Sequence, residues 1–123
     1  MKLRNFEIEK LLMQLEEYLC HTNVIGYAAA RNTRLMSDAI YEYTQKRDEL
    51  IAKYGSPVLD KEEKGTGEIA LSTESKNFPK FLKELRPYAE IEQEVNLVTL
   101  KYEQAIGLLS GTELLELDWM FED

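Results

Sequence analysis

Residues 23–36 read NVIGYAAARNTRLM, and this stretch decides how the chain folds. Ile25, Ala28, Ala29, Asn32 and Met36 recur at the spacing of one helix face. Thr22 or Asn23 can cap that helix, because a short polar side chain accepts a hydrogen bond from the backbone N–H two or three residues on. The run Ala28-Ala29-Ala30 removes side-chain bulk, so a neighbouring helix can approach closely. Asn32 interrupts the apolar stripe. A buried amide at such a position can set helix register or oligomer state at a cost in stability. The alternatives are an Asn at the wet edge of the helix contact, or one bonded to a loop carbonyl.

On the N-terminal side, Asn5 can cap a first helix, with Glu7 and Glu9 placed well for the helix dipole. Phe6, Ile8, Leu11, Leu12, Leu15, Tyr18 and Leu19 follow helical spacing. Cys20 to Asn23 are poor helix formers, and Gly26 follows, so the helix breaks there. The spacing predicts an antiparallel helical hairpin over 1–55, packed through Leu12, Leu15, Leu19, Ala29, Met36 and Ile40. One unbroken helix from 5 to 54 is the alternative. The second helix is expected to run on through Ala39, Ile40, Tyr43, Leu50 and Tyr54, and to stop at Gly55 with Pro57 just beyond.

Beyond Pro57 the texture changes. DKEEKGTGE (60–68) reads as a loop between short strands at Val58-Leu59 and Ile69-Ala70-Leu71. Ser75 or Asn77 caps a third helix, with Pro79 in its first turn. Phe78, Phe81, Leu82, Leu85, Tyr88 and Ala89 form its buried face, and Pro87 should kink it or end it early. The β-branched residues of EVNLVTLKYEQ (94–104) favour a strand, although Val95, Val98, Tyr102, Ala105 and Leu109 also fit a helix. SGTE (110–113) is a capping box joining Ser110 to Glu113, opening a last helix from about 111 to the end. The fold class is α+β. An N-terminal antiparallel helical hairpin (1–55) precedes a small, mostly antiparallel sheet with two further helices (58–123), in one domain of 123 residues.

Charge narrows the partners. Residues 1–57 hold eight Lys/Arg against eight Asp/Glu, whereas 58–123 hold seven against fifteen, which accounts for the net −8. An acidic half repels phosphate backbones, so no nucleic-acid binding is expected. No apolar run approaches the roughly 20 residues of a membrane span. The opening MKLRNFEIEK carries charge where a signal peptide needs an apolar stretch, and the single Cys leaves no internal disulfide. A cytoplasmic location is expected.

Chemistry-bearing patterns are sparse. Cys20 and His21 are adjacent, and neighbours on a helix diverge by about 100°, so they form no nucleophile–base dyad. They read as a small apolar filler and a helix-end cation. Zinc would need more Cys/His ligands. GTG (65–67) lacks the spacing and the Lys-Ser/Thr of a phosphate loop and reads as turn chemistry. The carboxylates Asp60, Glu62, Glu63, Glu90, Glu92, Glu94, Glu116 and Asp118 show no pattern that brings two together in a cleft. No catalytic residue, metal ligand, cofactor or small-molecule substrate is therefore assigned. An enzyme is the third and weakest reading.

The ending LDWMFED (117–123) is the clearest lead to a partner. Three successive large apolar residues on a helix cover about 200° of its circumference, and a core-facing stripe needs little more than 100°. Trp119, Met120 and Phe121 are thus a candidate protein interface, with Trp119 expected outside the core and Leu117, Phe121 and Leu114 facing in. The bland alternative is a helix folded onto its own core. Glu122 and Asp123 would lie at that helix's negative end, a cost that a neighbouring cation can relieve.

The segments KRDELIAKYG (46–55), DKEEKGTGEI (60–69), FLKEL (81–85), EVNLVTL (94–100) and LSGTELLELDWMFED (109–123) together resemble a family of small uncharacterised proteins encoded by phages and prophages of Gram-positive bacteria. The resemblance implies a phage protein in the host bacterial cytoplasm, placed among virion-morphogenesis genes. It carries no site residues. The expected function is non-enzymatic: an accessory or chaperone in head or tail assembly, acting on a protein partner or as a homo-oligomer. A regulatory adaptor that mimics acidic nucleic acid is the alternative.

Overall fold

The computed structural model describes the backbone of residues 1–59 and 65–123 and the side chains of 1–56 and 69–123. In chain order, β1 (Lys2–Arg4) leads into α1 (Asn5–Leu15) and a 3₁₀ turn (Glu16–Tyr18), followed by α2 (Val24–Ala39) and α3 (Tyr41–Tyr54). Then come β2 (Ser56–Leu59), β3 (Gly65–Ala70), α4 (Phe78–Ala89) and β4 (Glu92–Glu94). The chain finishes with β5 (Leu100–Lys101), α5 (Tyr102–Ala105), α6 (Gly111–Glu116), a 3₁₀ turn (Asp118–Met120) and β6 (Phe121–Glu122). The fold is α+β. Instead of one sheet, the described strands make three separate pairs: β1–β4 and β2–β3 antiparallel, β5–β6 parallel.

These elements form two compact units, 1–40 with 92–123 and 41–91. The internal division expected at 55–58 therefore falls at Ile40, inside the segment read as one long helix. Nothing local announces the break, since Ala39-Ile40-Tyr41 contains neither Gly nor Pro. Its cause is tertiary. The Ala39 carbonyl, which a continuing helix would offer to the N–H four residues on, accepts instead from Gln93 Nε2 at 2.8 Å. Ile40 then leaves helical geometry at φ −105°, ψ 15°.

In the first unit, α1 packs on α2 and α5 also touches α2. Leu15, Ala29, Met36 and Ile40 are buried as expected of the hairpin, and Ile8 and Ile25 join them. Leu19 is exposed, because α1 gives way after Leu15 to the tighter 3₁₀ turn and the helical stripe no longer holds. Asn23 caps α2, its Oδ1 accepting the Ile25 N–H at 2.9 Å. Asn5 is not a cap. Arg4 holds that position, with its N–H donated to Glu7 Oε1 at 3.1 Å, while buried Asn5 accepts a hydrogen bond from Gln93 Nε2. Gly26 is required by close approach: a Cβ there would sit 1.8 Å from the His21 carbonyl oxygen.

In the second unit, α3 packs on α4 and against β3, with Tyr43, Leu50, Phe81 and Leu85 buried. The expected hairpin is present, pairing Ser56 with Ala70 and Pro57 with Ile69. GTG lies within β3 rather than in a turn, while 60–64 of the expected loop fall outside the described residues. Pro79 sits in the first turn of α4, and Pro87 lies inside its last turn, two residues before the helix ends. The run 94–109 is neither strand nor helix throughout: β4 ends at Glu94, 95–99 have no regular structure, β5 spans Leu100–Lys101, and only α5 is helical.

Two outcomes follow. Gly26→Ala should destabilise the protein by about 3 kcal/mol despite Ala's better helix propensity, because the clash is with backbone; urea denaturation measures it. The Gln93–Ala39 bond brings the chain's exit from the first unit beside its re-entry. Replacing 41–91 by a short Gly-Ser linker should therefore leave a cooperatively unfolding, helical protein by circular dichroism.

Candidate functional site

The α1 sequence supplies two faces. Ile8 and Leu15 point into the core, whereas the adjacent pairs Phe6-Glu7 and Lys10-Leu11, one helical turn apart, line an open groove. Met1, Leu3 of β1 and Trp119 complete it, and its volume is about 350 Å³. The lining is mostly apolar, and Glu7 and Lys10 are its charged side chains. Glu7 is held by the Arg4 N–H. Lys10 Nζ lies 5.4 Å from the centroid of the Phe6 ring. Trp119 is half-buried, and its indole N–H donates to Gln14 Oε1 at 2.8 Å, which fixes the ring against α1. A second groove of about 390 Å³ lies between α3 and α4, but it is crossed by the Lys53–Glu84 ion pair at 3.3 Å.

The tail residues part company. Trp119 reaches the groove, whereas Met120 and Phe121 are buried in their own unit, Phe121 facing inward as expected. The 100° argument fails because α6 stops at Glu116. The next residues form a 3₁₀ turn, and Phe121 is extended in β6, paired with Leu100. Leu117 faces inward as expected, whereas Leu114 is only half-buried. The Ser110–Glu113 capping box is present, with Ser110 Oγ accepting the Glu113 N–H at 3.2 Å and Glu113 Oε1 accepting the Ser110 N–H at 3.0 Å. Those bonds hold the Glu113 carboxyl below its ordinary range. The cation that relieves the acidic end is Lys101, 3.2 Å from Glu122 Oε1 and donating to the Asp123 carbonyl at 2.9 Å. Tyr102 stacks on Phe121 at 5.5 Å and donates its hydroxyl to Asp118, which raises the phenol's pKa.

Asn32 is fully buried and binds one residue twice. Its Nδ2 donates to the Val98 carbonyl at 3.0 Å, and its Oδ1 accepts the Val98 N–H at 2.7 Å. The side-chain amide thus does for Val98 what a neighbouring strand would do, in a stretch that has no ladder of its own. Asn32 registers the returning segment against α2 within the chain, the loop-carbonyl alternative realised with its N–H partner added.

The other chemistry-bearing residues stay apart. Cys20 is exposed rather than a buried filler, and its Sγ donates to the Glu17 carbonyl at 3.7 Å. His21 stacks on Tyr18 at 5.7 Å. The Tyr18 hydroxyl donates to Glu116 Oε2 at 2.9 Å, and burial together with that carboxylate pushes its pKa well up. Among the described residues, no group of three or more His, Cys, Asp or Glu is arranged to hold a metal, and no helix is long and apolar enough to cross a membrane. Comparisons with protein-family models, curated proteins and solved structures find no match.

Asn32→Ala removes the partner of a half-buried backbone donor and acceptor at Val98. It should cost about 2–4 kcal/mol of stability, read as a lower urea midpoint. Asn32→Asp should cost no less at neutral pH, since it swaps the donor for a buried charge.

Proposed function

We propose that this chain is a non-enzymatic interaction protein that receives an apolar anchor of a protein partner in the groove beside Trp119. The observation that carries the proposal is the groove itself: an open concavity floored by Leu3, Phe6, Leu11 and a half-buried Trp, with two charged side chains at its margin. Tryptophan is favoured at interface hot spots because its large flat surface is desolvated at small entropic cost. The groove's position on α1, β1 and the 3₁₀ turn, all in one unit, supports a preformed receptor rather than one assembled on binding. With the resemblance to phage and prophage proteins, the proposed setting is an accessory or chaperone of head or tail assembly, working in the host cytoplasm.

Trp119 is the chain's single tryptophan, so its fluorescence reports on the groove. A partner recovered from phage-producing cells and then purified should shift that emission. Trp119→Ala should weaken its binding by about 2 kcal/mol, roughly 30-fold, with the fold retained by circular dichroism. Equal affinity of wild type and variant, measured by sedimentation, would show that the groove is not the receptor.

A further inference from the structure

Charge follows the two units rather than the two halves of the sequence. Residues 1–40 and 92–123 hold six Lys/Arg against thirteen Asp/Glu, net −7, whereas 41–91 hold nine against ten, net −1. Within the first unit, neither 11–30 nor 102–123 contains a single Lys or Arg. The Tyr18–Glu116 hydrogen bond brings these two cation-free stretches together. There the 3₁₀ turn carrying Glu16 and Glu17 abuts α6, which presents Leu115 at 79% exposure beside Glu116. This face is anionic and greasy, and nothing within the unit covers Leu115.

The opposite composition appears on α4. Phe81 and Leu85 face inward, while Lys80, Lys83 and Arg86 are exposed at i, i+3 and i+6, which places them on one side of the helix. Leu82 stands beside them at 47% exposure. Both helices also break the same local rule. The first turn of α4 holds Lys80 and no acid, and the last turn of α6 holds Glu116 and no base, although the helix dipole favours the reverse in each case. Places where a local rule is broken are expected where function requires it.

We propose that the outward face of α4 in one copy docks on the Leu115–Glu116 face of a second copy, so that the protein self-associates. The occupant is identified by complementarity: Lys80 and Lys83 beside exposed Leu82 on one surface, with Arg86 next to them paired to Glu90 at 3.0 Å, and carboxylates around an exposed leucine on the other. Each copy carries both surfaces, so every copy can act as donor and as acceptor of the contact. Oppositely charged faces of this kind associate faster at low ionic strength and lose their attraction as salt screens it.

The test is sedimentation velocity of the full chain in reductant, which keeps exposed Cys20 from cross-linking, at about 0.05 M and 0.5 M salt, where screening differs strongly. Wild type should show a sedimentation coefficient that rises with concentration at low salt and falls back at high salt. Lys80→Glu/Lys83→Glu should associate at least about tenfold more weakly, and Glu16→Lys/Glu17→Lys likewise. An equimolar mixture of the two variants should regain association, since each then meets a complementary face. Leu115→Ser, which alters no charge, should weaken association as well, and it serves if a charge variant loses its circular dichroism. A wild type that stays monomeric at low salt, charge variants that associate like wild type, or a folded mixture that fails to regain association would each overturn the proposal.

Discussion

Two hydrogen bonds between the buried Asn32 amide and the half-buried backbone of Val98 hold the first unit together. That unit is built from chain segments separated by 41–91. Its second segment returns as a stretch without regular structure between β4 and β5. A backbone buried without a ladder must find partners or bear a desolvation cost of about 1–3 kcal/mol per group, and Asn32 supplies both partners from one side chain. Gln93 does the same work at the junction by donating to Asn5 and to Ala39. The two amides therefore fix which residue of the returning segment faces which turn of α2.

That registration places the features on which function is argued. With Val98 held, Leu100 and Lys101 lie where β6 can pair with them, and Phe121 is buried against Tyr102. The 3₁₀ turn before β6 then carries Trp119 to Gln14 and to the groove floor on α1. On another side, α6 meets the Tyr18 hydroxyl through Glu116 and leaves Leu115 bare. Both surfaces thus depend on a polar pair in the core that touches neither of them.

The sequence disclosed what rests on local chemistry. The Asn23 cap, the stop at Gly55, Pro79 in the first turn of α4, the Ser110–Glu113 box and the α+β class are all legible from short-range rules. Asn32 was visible as an anomaly on an apolar stripe, but its partner, 66 residues away, was not. The break at Ile40 had no local sign because its cause is a side chain from β4. The tail was misread for a related reason: helical angles were extended past Glu116, where the chain has already turned into a 3₁₀ turn and a strand that only β5 makes possible. Of the groove, Trp119 was foreseen outside the core. Its other walls on β1 and α1 belong to a face of the first helix that periodicity merged with the buried one.

The most direct test of this account is native-state hydrogen exchange at the Val98 amide. Its N–H is donated to Asn32 Oδ1 at 2.7 Å, while its neighbours Asn96 and Thr99 are exposed. If the amide pair organises the unit, Val98 should exchange only with global unfolding, as slowly as the core amides of α2, while Asn96 and Thr99 exchange through local opening. Exchange at Val98 as fast as at its neighbours would contradict the claim that Asn32 holds the split unit together.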